Sequence, residues 1–386
     1  MKRLWLYGLM CLAMVSQAYA QGEMAPDDSV KIQPKRSFIQ KIVNYINGGE
    51  KGVVKPYTNK PKVLVLGGPH YSTDEKLGIA AYGLLEFGLR GCDSTVQHSN
   101  FMAGIDVSTA GFWTVSTTGT MFFPHDSKRI NLELRVGYAP KYFWGVGYDM
   151  GNNNANKTKL NQNEIKIQGD MFFRVVPSFY VGPSLEWNYY KCAKLDRLEL
   201  LNGQRQSVYN YGFGFALQYD CRDNIRDASR GAYVYLRQMF YPKFLWNHYA
   251  YSMTDFHASV YHQAWKGAVV AAELRGLFNL GDPSWANMAL LGNNSSMRGY
   301  YKGQFRDMHS MTAQVELRQH IWKRHGIVAW VGVGNVFHDS NSFGNLLPNF
   351  GVGYRFSLRP GMNLRLDYGW GKKGINGFAM AMYESF

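Results

Sequence analysis

The sequence predicts an all-β protein, a transmembrane antiparallel β-barrel of about 16 strands with a short helical extension before it. Three observations predict that class: an export signal at the start, a two-residue alternation of apolar and polar side chains from Lys62 onward, and an enrichment in aromatics and glycine.

The export signal comes first. Lys2 and Arg3 precede an apolar run from Leu4 to Val15, and Ala18-Tyr19-Ala20 offers the small residues that a signal peptidase needs. Residues 1–20 therefore read as a signal peptide, with the mature chain starting near Gln21. Cys11 follows Gly8, Leu9 and Met10, which is not a lipoprotein cleavage setting, so no lipid anchor is expected. Loss of the two signal-peptide cations from the formal +14 leaves the mature chain at about +12. Export argues against nucleic acid as the partner, whereas anionic lipopolysaccharide and outer-membrane lipids suit that charge. Cys92, Cys192 and Cys221 form an odd set without metal-type spacing, so neither a metal site nor an obligatory disulfide is predicted.

Residues 21–61 have a different character from the rest of the chain. Ser37 is placed to cap a short helix carrying Phe38, Ile39, Ile42, Val43 and Ile46 on one face, with Gly48-Gly49 ending it. Such a segment is too short for a core of its own, and reads as a periplasmic or plug-like extension. The barrel is assigned to residues 62–386.

Within that region the period is two. Met311, Ala313, Val315 and Leu317 alternate with Thr312, Gln314, Glu316 and Arg318. The same pattern runs through Ile130 to Tyr138, Ile165 to Phe173, Tyr209 to Tyr219, Val352 to Leu358 and Met362 to Trp370. A soluble sandwich would have to fit these aromatics into a thin core. A membrane barrel turns them toward lipid and uses the other face to hold Arg, Glu and Asp in the lumen. With Tyr 26, Phe 23, Trp 10 and Gly 41 in a chain only 18% charged, the composition favours the barrel.

Connector lengths set the topology. Strands are expected at about 307–321, 327–337, 348–359, 362–371 and 377–386. Tight turns at Lys323-Arg324-His325-Gly326 and Pro360-Gly361 alternate with longer loops at His338 to Leu347 and Lys372 to Asn376. Short turns belong on the periplasmic side, so the loop around Ser295 is extracellular. The stretch from Lys62 to Leu291 has room for about eleven further strands.

That loop contains Ser295-Ser296-Met297-Arg298-Gly299-Tyr300-Tyr301. Gly299 permits a sharp turn, and two tyrosines are poor residues to leave in water, so the loop is expected to fold back into the lumen. A guanidinium carried there needs an acceptor. Glu316, inward-facing on the next strand, is the natural partner, with Asp367 beside Arg365 a weaker one.

Met297-Arg298-Gly299-Tyr300 resembles the loop signature of the outer-membrane assembly and translocation superfamily, the bacterial surface antigen family of BamA/TamA type. Asp220, Arg222, Asp223, Arg230 and Gly231 are similar to its strand-turn motif, and so are the Ala313 to Arg318 strand and the end from Arg365 to Phe386, whose terminal aromatic would be a C-terminal signal. The sequence departs from the family by placing Gly332 where an acid usually engages the loop arginine, which leaves Glu316 as sole partner. It also leaves no room in residues 21–61 for periplasmic POTRA modules.

The resemblance implies a non-enzymatic barrel that assists insertion or translocation of proteins or lipids. Its partners would be client outer-membrane proteins and periplasmic or lipoprotein factors. A lateral seam would lie between Lys62 to Leu66 and Phe378 to Phe386, weakened where Gly67-Gly68-Pro69 interrupts the ladder. The alternative is a passive channel or small-solute transporter. Catalysis is not expected, because adjacent His309 and Ser310 point to opposite faces of one strand. No cofactor is expected either: Gly332-x-Gly334 and Gly351-x-Gly353 lack the helix of a phosphate loop.

Overall fold

The computed structural model describes residues 59–72, 76–93, 96–292, 295–359 and 362–386. The expected signal peptide, the Phe38 to Ile46 helix and the Pro360-Gly361 turn lie outside the described residues.

Alternation becomes strand because only a two-residue period places every apolar side chain on one face. The first eleven strands are β1 (Lys62–Ser72), β2 (Lys76–Phe87), β3 (Ser99–Ser108), β4 (Trp113–Phe122), β5 (Lys128–Phe143), β6 (Thr158–Val176), β7 (Phe179–Leu195), β8 (Ser207–Asp220), β9 (Gly231–Tyr241), β10 (Tyr251–Trp265) and β11 (Ala268–Gly281). Two short strands, β12 (Ala289–Leu290) and β13 (Arg306–Asp307), pair with each other inside the next connection. The wall resumes with β14 (His309–Trp322), β15 (His325–Phe337), β16 (Leu347–Arg359), β17 (Met362–Gly371) and β18 (Asn376–Met382). Each wall strand pairs with the next in a 16-stranded antiparallel meander, and β1 and β18 come to lie side by side.

Side-chain placement is inverted relative to a soluble protein. On β14, Val315 is 47% exposed while its neighbour Glu316 is fully buried. Leu185, Phe215, Val331 and Phe350 face outward, whereas Arg237, Glu273, Arg318 and Asp367 are buried inside. Hydrocarbon outside and a polar, hydrogen-bonded interior account for that arrangement. Connections 144–157, 196–206, 242–250, 282–308 and 338–346 lie on one rim, and two-residue turns at 177–178, 266–267 and 323–324 on the other. By the length rule the long-loop rim is extracellular.

Three expectations need correction. The turn after β14 is only Lys323-Arg324, since β15 already begins at His325. Gly67-Gly68-Pro69 does not interrupt the first ladder: it keeps register with Ala81, Ala80 and Ile79. A proline is tolerated there because β1 is an edge strand with one unpaired side. Finally, β18 stops at Met382, and Tyr383 takes a left-handed φ of 65° that turns the following residues inward.

No β1–β18 ladder forms among the described residues. An apolar cluster joins the two edges instead, with Leu64, Leu84 and Met102 from the first strands packed against Phe356, Leu358, Met362 and Met382 from the last.

Candidate functional site

The connection between β11 and β14 enters the lumen and reaches the middle of the wall. Glu316 lies seven residues into β14, about 23 Å along the strand from its start. Leu291, Met297, Tyr300 and Phe305 anchor the loop against Tyr148, Val336 and Leu347. The Tyr300 hydroxyl donates to the Pro348 carbonyl at 2.7 Å and accepts from the Lys372 backbone N–H at 2.8 Å. Tyr301 accepts from the Tyr142 N–H at 2.9 Å.

At the tip, Arg298 is almost completely buried. One guanidinium nitrogen donates to Glu316 at 2.5 Å and the other to Asp367 at 2.9 Å. Its carbon lies 3.5 Å from the centroid of the Trp330 ring, so the cation is stacked as well as paired. The Arg298 carbonyl accepts from Asn349 Nδ2 at 2.6 Å. Three strands, β14, β16 and β17, thus hold one residue by hydrogen bonds, while β15 supplies the ring.

Asp367 is therefore a direct partner, which corrects the expectation that Glu316 acts alone. Arg365 lies farther away, at 3.6 Å, while Arg355 donates to Asp367 at 2.6 Å. The physical reason is space. A Cβ on Gly332 would lie 2.8 Å from the Ala313 carbonyl oxygen and 3.0 Å from Gln314 Cβ, so no acid fits at that wall position, and the Trp330 ring two residues earlier lies beneath the guanidinium.

The wall opposite the tip is stripped to backbone. A Cβ on Gly351 would lie 2.2 Å from the Trp330 ring, and one on Gly371 2.4 Å from the Tyr300 ring. Gly299 has φ +103°, a conformation that side chains strongly disfavour, and its backbone touches that of Gly369.

The inward-turned residues after β18 join the same network. Glu384 accepts from Arg355 at 2.8 Å and lies 3.7 Å from Arg318. Ser385 donates to Glu316 at 3.0 Å. Phe386 packs beside Tyr261, and its carbonyl accepts from Arg318 at 3.0 Å. Glu316 thereby meets the loop, its own strand and the segment following β18. A second interior network has Arg237 on Glu186 at 2.8 Å and Asp170 at 3.3 Å, cross-bracing β6 to β9.

The strand-turn motif closes the opposite end. Asp220 accepts a forked pair of bonds from Arg222, both at 2.9 Å, and lies 3.5 Å from Arg129. Asp223 accepts the backbone N–H groups of Asn224, Ser229 and Arg230, together with the Ser229 hydroxyl. Burial alone would raise the Asp223 pKa, but these bonds outweigh it and hold the carboxyl below its ordinary value. Arg230 binds Gln263, and Gly231 has φ +102° with its Cβ position 2.3 Å from the Cys221 carbonyl oxygen. Within the turn, Arg226 reaches Glu86 on β2 at 2.5 Å and lies over Tyr383, so the motif spans the mouth as far as the seam.

The structure thus brings Arg298, Glu316 and Asp367 together, and places Asp220, Arg222, Asp223, Arg230 and Gly231 at the other rim. Trp330, Asn349, Arg355 and Glu384 were missed in the sequence. The parity of Trp330 was a usable signal, because it shares the lumen-facing register of Gly332 and Gly334. No group of acidic, histidine and cysteine side chains able to hold a metal occurs among the described residues, and Cys92, Cys192 and Cys221 are free.

This architecture is that of an outer-membrane barrel with a loop folded into its lumen. The Omp85 superfamily domain matches residues 106–386, and the chain belongs to that superfamily. No curated protein sequence matches it. Among solved structures, BamA from Haemophilus ducreyi lacking POTRA domains 1-3 is similar at a TM-score of 0.56 and 10% identity, covering 84% of this chain and 70% of that one. CdiB from Acinetobacter baumannii is similar at 0.53 and 10% identity, covering 84% of this chain and 60% of that one. CdiB from Escherichia coli gives 0.53 and 10%, covering 85% and 62%. The chain is thus an Omp85-type barrel of the bacterial outer membrane, spanning less than two thirds of either CdiB chain.

Proposed function

We propose that this barrel assists insertion or translocation of outer-membrane proteins or lipids, without a catalytic step, by opening the seam between β1 and β18. The observation that carries the reading is that seam. Among the described residues every other wall junction has a backbone ladder, whereas this one rests on the Leu84, Phe356 and Met382 cluster. Side-chain contacts break one at a time, and an edge strand with free N–H and C=O groups is a template for an incoming strand. The Arg298 loop serves as an internal brace that keeps β14 to β17 in register while the neighbouring edge moves. Clients and periplasmic or lipoprotein partners are the expected interactors.

The channel reading is less well supported, because the loop and the arginine networks occupy the lumen. Depletion of the protein followed by a census of outer-membrane proteins and lipids tests the proposal. Loss of specific clients is expected, and an unchanged census argues against an assembly role. Purified protein in planar bilayers should stay electrically quiet, whereas large steady currents would favour the channel.

A further inference from the structure

A cavity of ≈ 370 Å³ lies at the long-loop rim, walled by the β5–β6 connection, the loop tip, the β17–β18 turn and the start of β18. Three lysines line it, Lys157, Lys372 and Lys373, and no aspartate or glutamate does. None of the three pairs with a carboxylate among the described residues. Lys157 lies 4.0 Å from the Tyr142 ring centroid, and Lys372 donates to the Tyr148 hydroxyl at 2.7 Å. Aromatic contacts therefore orient two of these ammonium groups without neutralising them.

A second observation points to a missing acceptor. Trp144 lines the cavity and is only 2% exposed, yet its indole N–H has no hydrogen-bond partner among the described residues. A buried N–H without an acceptor is costly and rare. Asn152, Asn154 and Asn376 add amides to the same wall, and the Tyr301 ring lies beside Trp144, tilted by 57° with centroids 5.4 Å apart. Cations, amide donors and aromatic faces together suit a phosphorylated sugar. The cavity also opens beside Phe378, which is 40% exposed on the lipid-facing side of β18. A head group held by the lysines would leave its acyl chains against that strand.

We infer that this cavity binds the phosphorylated sugar head group of an outer-leaflet glycolipid, placing a lipid molecule directly against the β18 edge. Such binding requires the long-loop rim to face outside, as the connector lengths place it. It does not need the chain to have clients, so a failed depletion census leaves it standing.

Binding is measured by native mass spectrometry of the full chain in detergent, using lipid A, an uncharged glycolipid with equal chains, glucosamine 1-phosphate and inorganic phosphate. Lipid A should bind more tightly than the other three. Lys157→Gln with Lys373→Gln should weaken it on the order of tenfold. Trp144→Phe, which keeps the ring and deletes the N–H, should weaken it further. Heat-modified gel mobility verifies that each variant is folded. Equal affinity for the uncharged glycolipid, or unchanged lipid A binding in the folded lysine variant, overturns the site. Tighter binding of glucosamine 1-phosphate than of lipid A overturns the lipid assignment.

Discussion

Gly299 and Gly369 meet backbone to backbone: a Cβ on Gly369 would lie 2.1 Å from the Arg298 carbonyl oxygen, and one on Gly299 2.5 Å from the Gly369 carbonyl oxygen. Neither contact can be relieved by rotating a side chain, so the loop tip and β17 fit only while both positions lack a methyl. Gly369→Ala is expected to lift the tip off the wall and expose residues 296–301 to protease. A cleavage pattern identical to wild type would show that the strand yields instead.

Arg298→Ala and Glu316→Ala should each lower the temperature at which the folded barrel loses its fast gel mobility. Each deletion removes one counter-charge but not all of them, since Arg298 keeps Asp367 and Glu316 keeps Arg318, so the loss should fall short of the about 3–5 kcal/mol of a fully orphaned buried charge. The double variant should be no worse than the worse single one, and additive losses would count against coupling. Arg298→Lys should not restore stability. An ammonium cannot fork between Glu316 and Asp367 while stacking flat on Trp330.

At the seam, Leu84→Ala should selectively loosen the closing edges. The side chain is 4% exposed, and truncating a buried leucine costs about 2–5 kcal/mol. Hydrogen exchange should accelerate in β1 and β18 and remain slow in β6 to β8. Uniform acceleration around the wall would mean that this cluster supports the whole barrel.

Acid should open the strand-turn motif. Because Asp223 titrates below its ordinary value of 3.8 in the folded turn, its contribution is complete above that pH and is lost as pH falls through the folded pKa. Proteolytic sensitivity of residues 222–230 should therefore begin to rise only below about pH 3.8. Asp223→Asn should flatten that dependence, and an unchanged acid profile would refute the role.

The barrel was legible in the sequence because its lipid face demands strict alternation, which even a single strand such as Met311 to Arg318 displays. The five strands after the inward loop follow from connector lengths, and the eleven before it from the room that Lys62 to Leu291 provides. Arg298 and Glu316 were recognisable because loop and strand are neighbours in the chain. Asp367 was underrated because Arg365 lies two residues away in sequence, although Arg298 and Arg355 are its nearer partners in space. The inward path of Glu384 and Ser385 was hidden for a similar reason: their acceptors and donors on β14 and β16 are distant in sequence, and alternation up to Met382 suggested that the strand simply continued.

Arg298 sits 18 residues from Glu316 but 69 from Asp367. Its two anchors therefore become available at different stages of chain assembly, since contacts across long separations carry the larger closure penalty. The arginine can meet Glu316 once one hairpin has formed, yet its second anchor must wait until β17 has joined the wall. Full seating of the tip thus requires a wall that is complete through β17.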